Sequence, residues 1–274
     1  SRGLGDVYKR QGVNMSTIRN RMTKLNGGTP ISDGPFRNGS MYLTYTNEGM
    51  PIGAFWGYKT DGLIQTQEQL NAVKRADFQP NAELGDVLFV DTNGDGKLDS
   101  SDRCMIGNPI PDIIYGINMG MAWKGFDLNL QFGGTIGNQI FNAMRYYTYF
   151  PNDITNKDRA LMNYWTPNNT NTDIPRLTAT DVNDNDRFSD MYVENGTYFR
   201  LRNAQLGYTL PASLTQRIKL QKVRFYVSGQ NLFTISSYSG MDPEVGQSSS
   251  LSRGIDYGIY PQNISFTGGI NVTF

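Results

Sequence analysis

The sequence predicts an all-β fold: an antiparallel transmembrane β-barrel, present as part of its wall, with long extracellular loops. Three observations carry this. Several segments alternate apolar and polar residues, two of them are joined by a two-residue turn, and the last segment ends on an aromatic residue.

The clearest segment is Ile113 to Trp123. Ile113, Tyr115, Ile117, Met119, Met121 and Trp123 are apolar, while Gly116, Asn118, Gly120 and Ala122 between them are small or polar. Period two gives a strand with one apolar and one polar face. Lys124-Gly125 reads as a tight turn, after which Phe126, Leu128, Leu130 and Phe132 alternate with Asp127, Asn129, Gln131 and Gly133. Downstream, Ala204, Leu206, Tyr208 and Leu210 alternate with Asn203, Gln205, Gly207 and Thr209. Phe199 and Leu201 fall on the opposite parity, which predicts a bulge upstream of Asn203 or a strand continuing beyond the hydrocarbon band. Val223, Phe225 and Val227 continue beyond the connection 211–221. The last strand places Phe266, Gly268, Ile270, Val272 and Phe274 on one face.

A soluble sandwich alternates in the same way. The barrel is favoured because Trp123 and Phe126 flank the turn as an interfacial aromatic girdle does, and because Asn, Asp, Gln and Gly on the other face suit a wet lumen. A strand ending on Phe274 also resembles the signal by which outer-membrane barrels are recognised for insertion. Bacterial barrels have short periplasmic turns and long external loops. Lys124-Gly125 and 211–221 are therefore expected inside, and 134–195 and 236–261 outside.

Composition narrows the function. With 25 basic and 25 acidic side chains, there is no electrostatic case for nucleic acid. No run of 18 apolar residues exists, which excludes a spanning helix but not a barrel strand of about 9–11 residues. Histidine is absent and Cys104 is the only cysteine, so the commonest general base, a zinc cluster and a disulfide framework are all missing. No catalytic constellation can be assembled, and an enzyme is not expected. The sequence lacks an initiator Met and an export signal, so the chain is expected to be a fragment. Residues 1–11 resemble a non-native terminus and are left out of the fold, which is assigned to 12–274.

Several blocks resemble the SusC/RagA-like family of TonB-dependent outer-membrane transporters. They are Glu48-Gly49-Met50-Pro51-Ile52-Gly53 with Phe55-Trp56-Gly57-Tyr58 and Asp61-Gly62; Gly85-Asp86-Val87 with Ile106-Gly107-Asn108-Pro109; Tyr198 to Asn203 with Leu206-Gly207-Tyr208; and Gly229 to Phe233 with Asp242-Pro243-Glu244. They occur in order from about Ile18 to Phe274. The resemblance implies a plugged barrel of roughly 22 strands in the outer membrane, in contact with its lipid. It also implies energy supplied by TonB, a SusD-like surface lipoprotein as partner, and an oligosaccharide or peptide as cargo. Two rivals stay open: a secreted calcium-binding adhesion or carbohydrate-binding sandwich module, and a siderophore or cobalamin receptor.

The sharpest chemical motif is Asp91 to Asp102. Asp91, Asn93, Asp95, Asp99 and Asp102 occupy positions one, three, five, nine and twelve of an EF-hand-like loop, with Gly96 at six. Lys97 at seven supplies only its carbonyl. This spacing of hard oxygen donors predicts one structural Ca²⁺, although an acidic turn without metal has the same composition. Asp102 stands where an EF-hand has Glu, which resembles the dockerin variant. Tyr146, Tyr147, Tyr149, Phe150, Tyr164 and Trp165 could stack on sugars, but packing of a long loop is the reading preferred. Asn118, Asp127, Asn129 and Gln131 are expected to face the lumen.

Overall fold

A computed structural model describes residues 7–149, 156–246 and 249–274. The chain alternates long strands with long excursions. β1 (Val7–Thr17) leads into a first excursion, 18–112, which holds β2 (Ile31–Phe36), β3 (Met41–Thr46), β4 (Ala54–Gly57), β5 (Thr60–Leu63), α1 (Gln67–Arg75), β6 (Val87–Phe89) and β7 (Cys104–Gly107). β8 (Ile113–Trp123) and β9 (Phe126–Ile136) form a hairpin. A second excursion, 137–197, carries β10 (Gln139–Asn142), α2 (Ala143–Tyr149) and β11 (Val193–Asn195). β12 (Tyr198–Thr209), a short connection and β13 (Lys222–Ser236) follow. The third excursion, 237–264, holds β14 (Ile255–Asp256) and leads to β15 (Ser265–Thr273).

The six long strands make one open antiparallel sheet in the order β1-β8-β9-β12-β13-β15. At the hairpin turn Lys124 and Gly125 have φ of 46° and 88°, the two left-handed residues of a two-residue turn, and Trp123 pairs with Phe126 across it. The predicted bulge is present. Pairing of β12 with both neighbours shifts between Leu201 and Asn203: against β9 Arg202 is the extra residue, and against β13 the two residues Asn231 and Leu232 face it. Parity changes there, and Phe199 and Leu201 rejoin the apolar rows opposite Ile235 and Phe233.

Register then makes each face continuous. One row runs Ile117, Phe132, Leu201 and Phe233; a lower one runs Met121, Leu128, Leu206 and Val227. Among the described residues no second sheet covers this face: Trp123 is 52% exposed, Val227 51% and Phe266 73%. A sandwich would have buried it beneath a second sheet, so the rival fold is set aside. Eleven residues of β8 at about 3.3 Å each, tilted by about 40°, rise roughly 28 Å, close to the apolar band of an outer-membrane barrel.

One difference from expectation concerns the terminus. Residues 1–6 lie outside the described residues, but Val7 to Gln11, excluded from the predicted fold, pair with Trp123 to Met119. A sheet edge offers its N–H and C=O groups to any extended chain, whatever its side chains. Here Lys9 and Gln11 stand opposite Met121 and Met119 and interrupt the apolar rows.

All three excursions leave the same end of the sheet, opposite the Lys124-Gly125 turn, and fold into one cap. β2-β3-β4-β7 form one sheet, β5 and β6 another, and β11-β10-β14 a third in which β10 and β14 are parallel. The cap core joins Phe36, Leu43 and Phe55 of the first excursion to Phe141, Tyr146, Phe188 and Tyr192 of the second and Ile255 of the third. Phe141 meets Phe36 edge-on at 5.4 Å and Phe188 at 4.9 Å. Each buried ring removes enough apolar surface to contribute about 1.5–3 kcal/mol, so no excursion keeps this core without the others.

Candidate functional site

The face opposite the apolar rows is polar along its length. Asn118 pairs with Gln131, Asn129 with Gln205, and Asn203 with Gln230, as expected for a surface lining a wet lumen. Near the turn end, Arg224 of β13 reaches over β12 to Asp127 of β9. Its Nε donates to Oδ1 at 2.9 Å and its Nη2 to Oδ2 at 2.5 Å, and Nη2 also reaches Gln205 Oε1 at 3.1 Å. The strand crossed carries Gly207 at that point. A Cβ there would stand 2.3 Å from Arg224 Nη2 and 2.5 Å from Asp127 Oδ1. The glycine is needed to let a two-pronged ion pair lie flat on the sheet.

Near the cap end the bulge brings Arg200 and Arg202 to the third excursion. Arg200 is 2% exposed. It donates to Thr234 Oγ1 at 2.8 Å, Glu244 Oε2 at 2.9 Å and Asp242 Oδ1 at 2.6 Å. Arg202 donates to Glu244 Oε1 and the Tyr198 hydroxyl, both at 3.1 Å. Burial pushes the Asp242 carboxyl up, but the N–H groups of Gln262 and Glu244 together with Arg200 hold it below the usual carboxylate range. This clamp ties the excursion to the polar face. Both segments carry the family resemblance, but 42 residues separate Arg200 from Asp242 and nothing local in the sequence joins them.

The Asp91–Asp102 loop connects β6 to β7 in the cap. Asp91 accepts from the N–H of Gly94 at 2.6 Å and of Gly96 at 2.9 Å; Asn93 accepts from Asp95, and Asp95 from Lys97. Asp99 accepts from the Ser101 N–H and hydroxyl. Asp102 is fully buried, its two oxygens taken by the N–H groups of Thr92 and Asp99. The Gly96 N–H chiefly holds Asp91 below its ordinary range, and the Ser101 hydroxyl does the same for Asp99. Among the described residues, no group of three or more Asp, Glu, His or Cys side chains is arranged to hold a metal ion. The predicted ligands therefore stand here as a chain of side chain-to-backbone turns.

The aromatic stretch packs. Tyr146 and Trp165 are buried, Tyr147 lies 5.0 Å from Phe36, and Tyr149 stacks under Arg145; Phe150 lies outside the described residues.

No family model matches the sequence. It is 37% identical over 273 residues to the TonB-dependent receptor P3 of Formosa agariphila, covering 95% of this chain and 26% of that protein. The chain belongs to the TonB-dependent receptors, on their SusC-like branch. It is 28% identical over 262 residues to the TonB-dependent receptor SusC of Bacteroides thetaiotaomicron, covering 95% of the chain and 24% of that receptor. The fold matches the solved RagAB peptide transporter with a TM-score of 0.73 at 24% identity, over 99% of this chain and 27% of that one. The chain thus spans about a quarter of the length of the curated relatives it matches.

In this chain the first two family-like blocks are joints of the cap, while Tyr198–Asn203, Leu206–Tyr208 and Gly229–Phe233 lie in β12 and β13 of the wall. Tyr58 donates its N–H to Phe188 O at 2.8 Å, and a Cβ on the preceding Gly57 would stand 2.4 Å from that same oxygen. Asp86, fully buried, accepts from Arg176 at 2.7 Å and Asn185 at 3.0 Å. Asn108 and Gln139 exchange bonds between the first and second excursions. These residues of the first two blocks hold the first excursion to the second.

Proposed function

We propose that the chain forms wall and external cap of an outer-membrane, TonB-energised importer of an oligosaccharide or peptide, working with a SusD-like lipoprotein. The observation that carries this is the wall itself: six strands with an apolar face continuous over the five from β8 to β15, a polar face opposite it, and every long excursion at one end. An apolar surface of this extent is stable only against lipid, and the polar face offers amides and the Asp127–Arg224 pair to a passing solute. The partner and the energy source follow from kinship with SusC; cargo chemistry rests on the same kinship and on fold likeness to RagAB. Import by a siderophore or cobalamin receptor is the weaker reading, since the sequence relatives include SusC.

The test is uptake of labelled oligosaccharide and peptide pools by cells carrying the complete gene, with and without TonB. Accumulation of one pool that requires both gene and TonB is expected. Equal accumulation in their absence contradicts import.

The Asp91–Asp102 loop is proposed to take one Ca²⁺ through Asp91, Asn93, Asp95, Asp99, Asp102 and the Lys97 carbonyl. Its support is the donor spacing, and its four carboxylates in one short loop. Because those carboxylates are engaged by backbone N–H groups, binding has to exchange donors for the ion. Saturable uptake of calcium in calorimetry, lost in Asp95→Ala and kept in Lys97→Ala, is expected; no uptake up to several millimolar leaves an acidic turn.

A further inference from the structure

The first excursion begins as an extension of β1, and this places two arginines at the cap end of the apolar face. Ile18 donates its N–H to Asp112 O at 2.9 Å, continuing the β1–β8 ladder one residue beyond the Thr17–Ile113 pair. Parity along that extension puts Val13, Met15, Thr17 and then Arg19 on one side. Arg19 is thus the next residue after the apolar row, where a bilayer's hydrocarbon gives way to headgroups. The chain from 20 to 22 is pinned there: Asn20 accepts from Ile52 N–H, and Met22 exchanges backbone bonds with Gly49 and Met50.

Arg19 and Arg21, both exposed, line a cleft of about 420 Å³ together with Asn20, Asn108 and Asp112. The one acid lining it is Asp112, whose Oδ2 lies against Gly137 at the end of β9, where a Cβ would meet it at 2.3 Å. The apolar rows of the other strands end at this height on uncharged residues: Ile113, Ile136, Phe199 and Ile235.

We infer that Arg19 and Arg21 bind the phosphate of a lipid headgroup in the outward leaflet, with Asn20 and Asn108 as neighbouring amides. An arginine fork matches phosphate oxygens two at a time, and fixed cations at a membrane surface attract anionic lipid. The contact would hold the lipid beside β1 and fix the depth of the wall. This inference rests on the outer-membrane reading above.

The experiment uses the complete receptor, purified from outer membranes and titrated by native mass spectrometry with diphosphorylated lipid A, its dephosphorylated counterpart, and inorganic phosphate. Wild-type receptor is expected to retain lipid A and not the dephosphorylated form. Arg19→Gln/Arg21→Gln is expected to weaken retention roughly 30-fold, at the usual strength of two basic residues near a membrane surface. Lys222→Gln, on the polar face at the far end of β13, should change it little. Equal retention of both lipids by wild type overturns the inference, whether or not the double variant folds. Displacement by millimolar inorganic phosphate overturns the lipid assignment in favour of a free-phosphate site. Recovery of wild type outside the outer membrane sinks the underlying reading instead, and is scored separately by fractionation.

Discussion

Replacing Asp242 by alanine should release the third excursion from the polar face while leaving the wall paired. Arg200 is 2% exposed and its guanidinium has three side-chain partners, of which Asp242 is the best buried. Removing one member of a buried pair leaves its partner uncompensated, at a cost of about 3–5 kcal/mol. Glu244 is more than a third exposed, so Glu244→Ala should cost only about 0.2–1 kcal/mol. The difference, about 2 kcal/mol at the least, corresponds to roughly 30-fold or more in the open population of residues 237–264. Hydrogen exchange of the complete receptor reads that population directly, with β12 and β13 as internal reference. Acid should act in the same direction. The Asp242 carboxyl is held below its unfolded value near about 3.9, so its contribution is complete above that value and is lost as pH falls through the lower folded one. Equal exchange in the two alanine variants, or release of the excursion already at pH 5 to 6, would refute the reasoning.

Two further perturbations test other joints. Gly207→Ala should displace the Arg224 fork and cost about as much as Asp127→Ala, roughly 1–2 kcal/mol by thermal melting in detergent; combined, the two should be far from additive, because they remove one interaction. Phe141→Ala, in the core shared by all three excursions, should cost about 3–5 kcal/mol, with protease sensitivity rising in all three excursions together and not in the wall.

The wall was legible in the sequence because its information is local. Side-chain parity in Ile113–Trp123, a Lys-Gly turn, and a parity change at Leu201 are each written within a few residues, and each has its counterpart in the sheet. The cap was not legible. Its core joins Phe36, Phe141 and Ile255 from three excursions, and short strands such as β14 carry too few residues to show a period. The clamp was hidden for the same reason: Arg200 and Asp242 stood in two quoted blocks, with nothing local to say that they meet. At the terminus, Lys9 and Gln11 gave no apolar alternation, yet the backbone of 7–11 pairs with β8, since a ladder is made by N–H and C=O groups. In the Asp91–Asp102 loop, spacing was readable, but whether its oxygens take an ion or their own backbone donors depends on a balance that spacing does not contain.

The central claim is that the row containing Leu128 and Leu130 faces lipid while that containing Asn129 and Gln131 faces water. Single cysteines at these four positions, in a cysteine-free background of the complete receptor that includes Cys104→Ser, can be read in native outer membranes with a thiol-reactive fluorophore. Quenching by nitroxide lipids at 128 and 130, and by an aqueous quencher at 129 and 131, is the predicted result. The opposite pattern, or equal quenching at all four positions, would contradict the account.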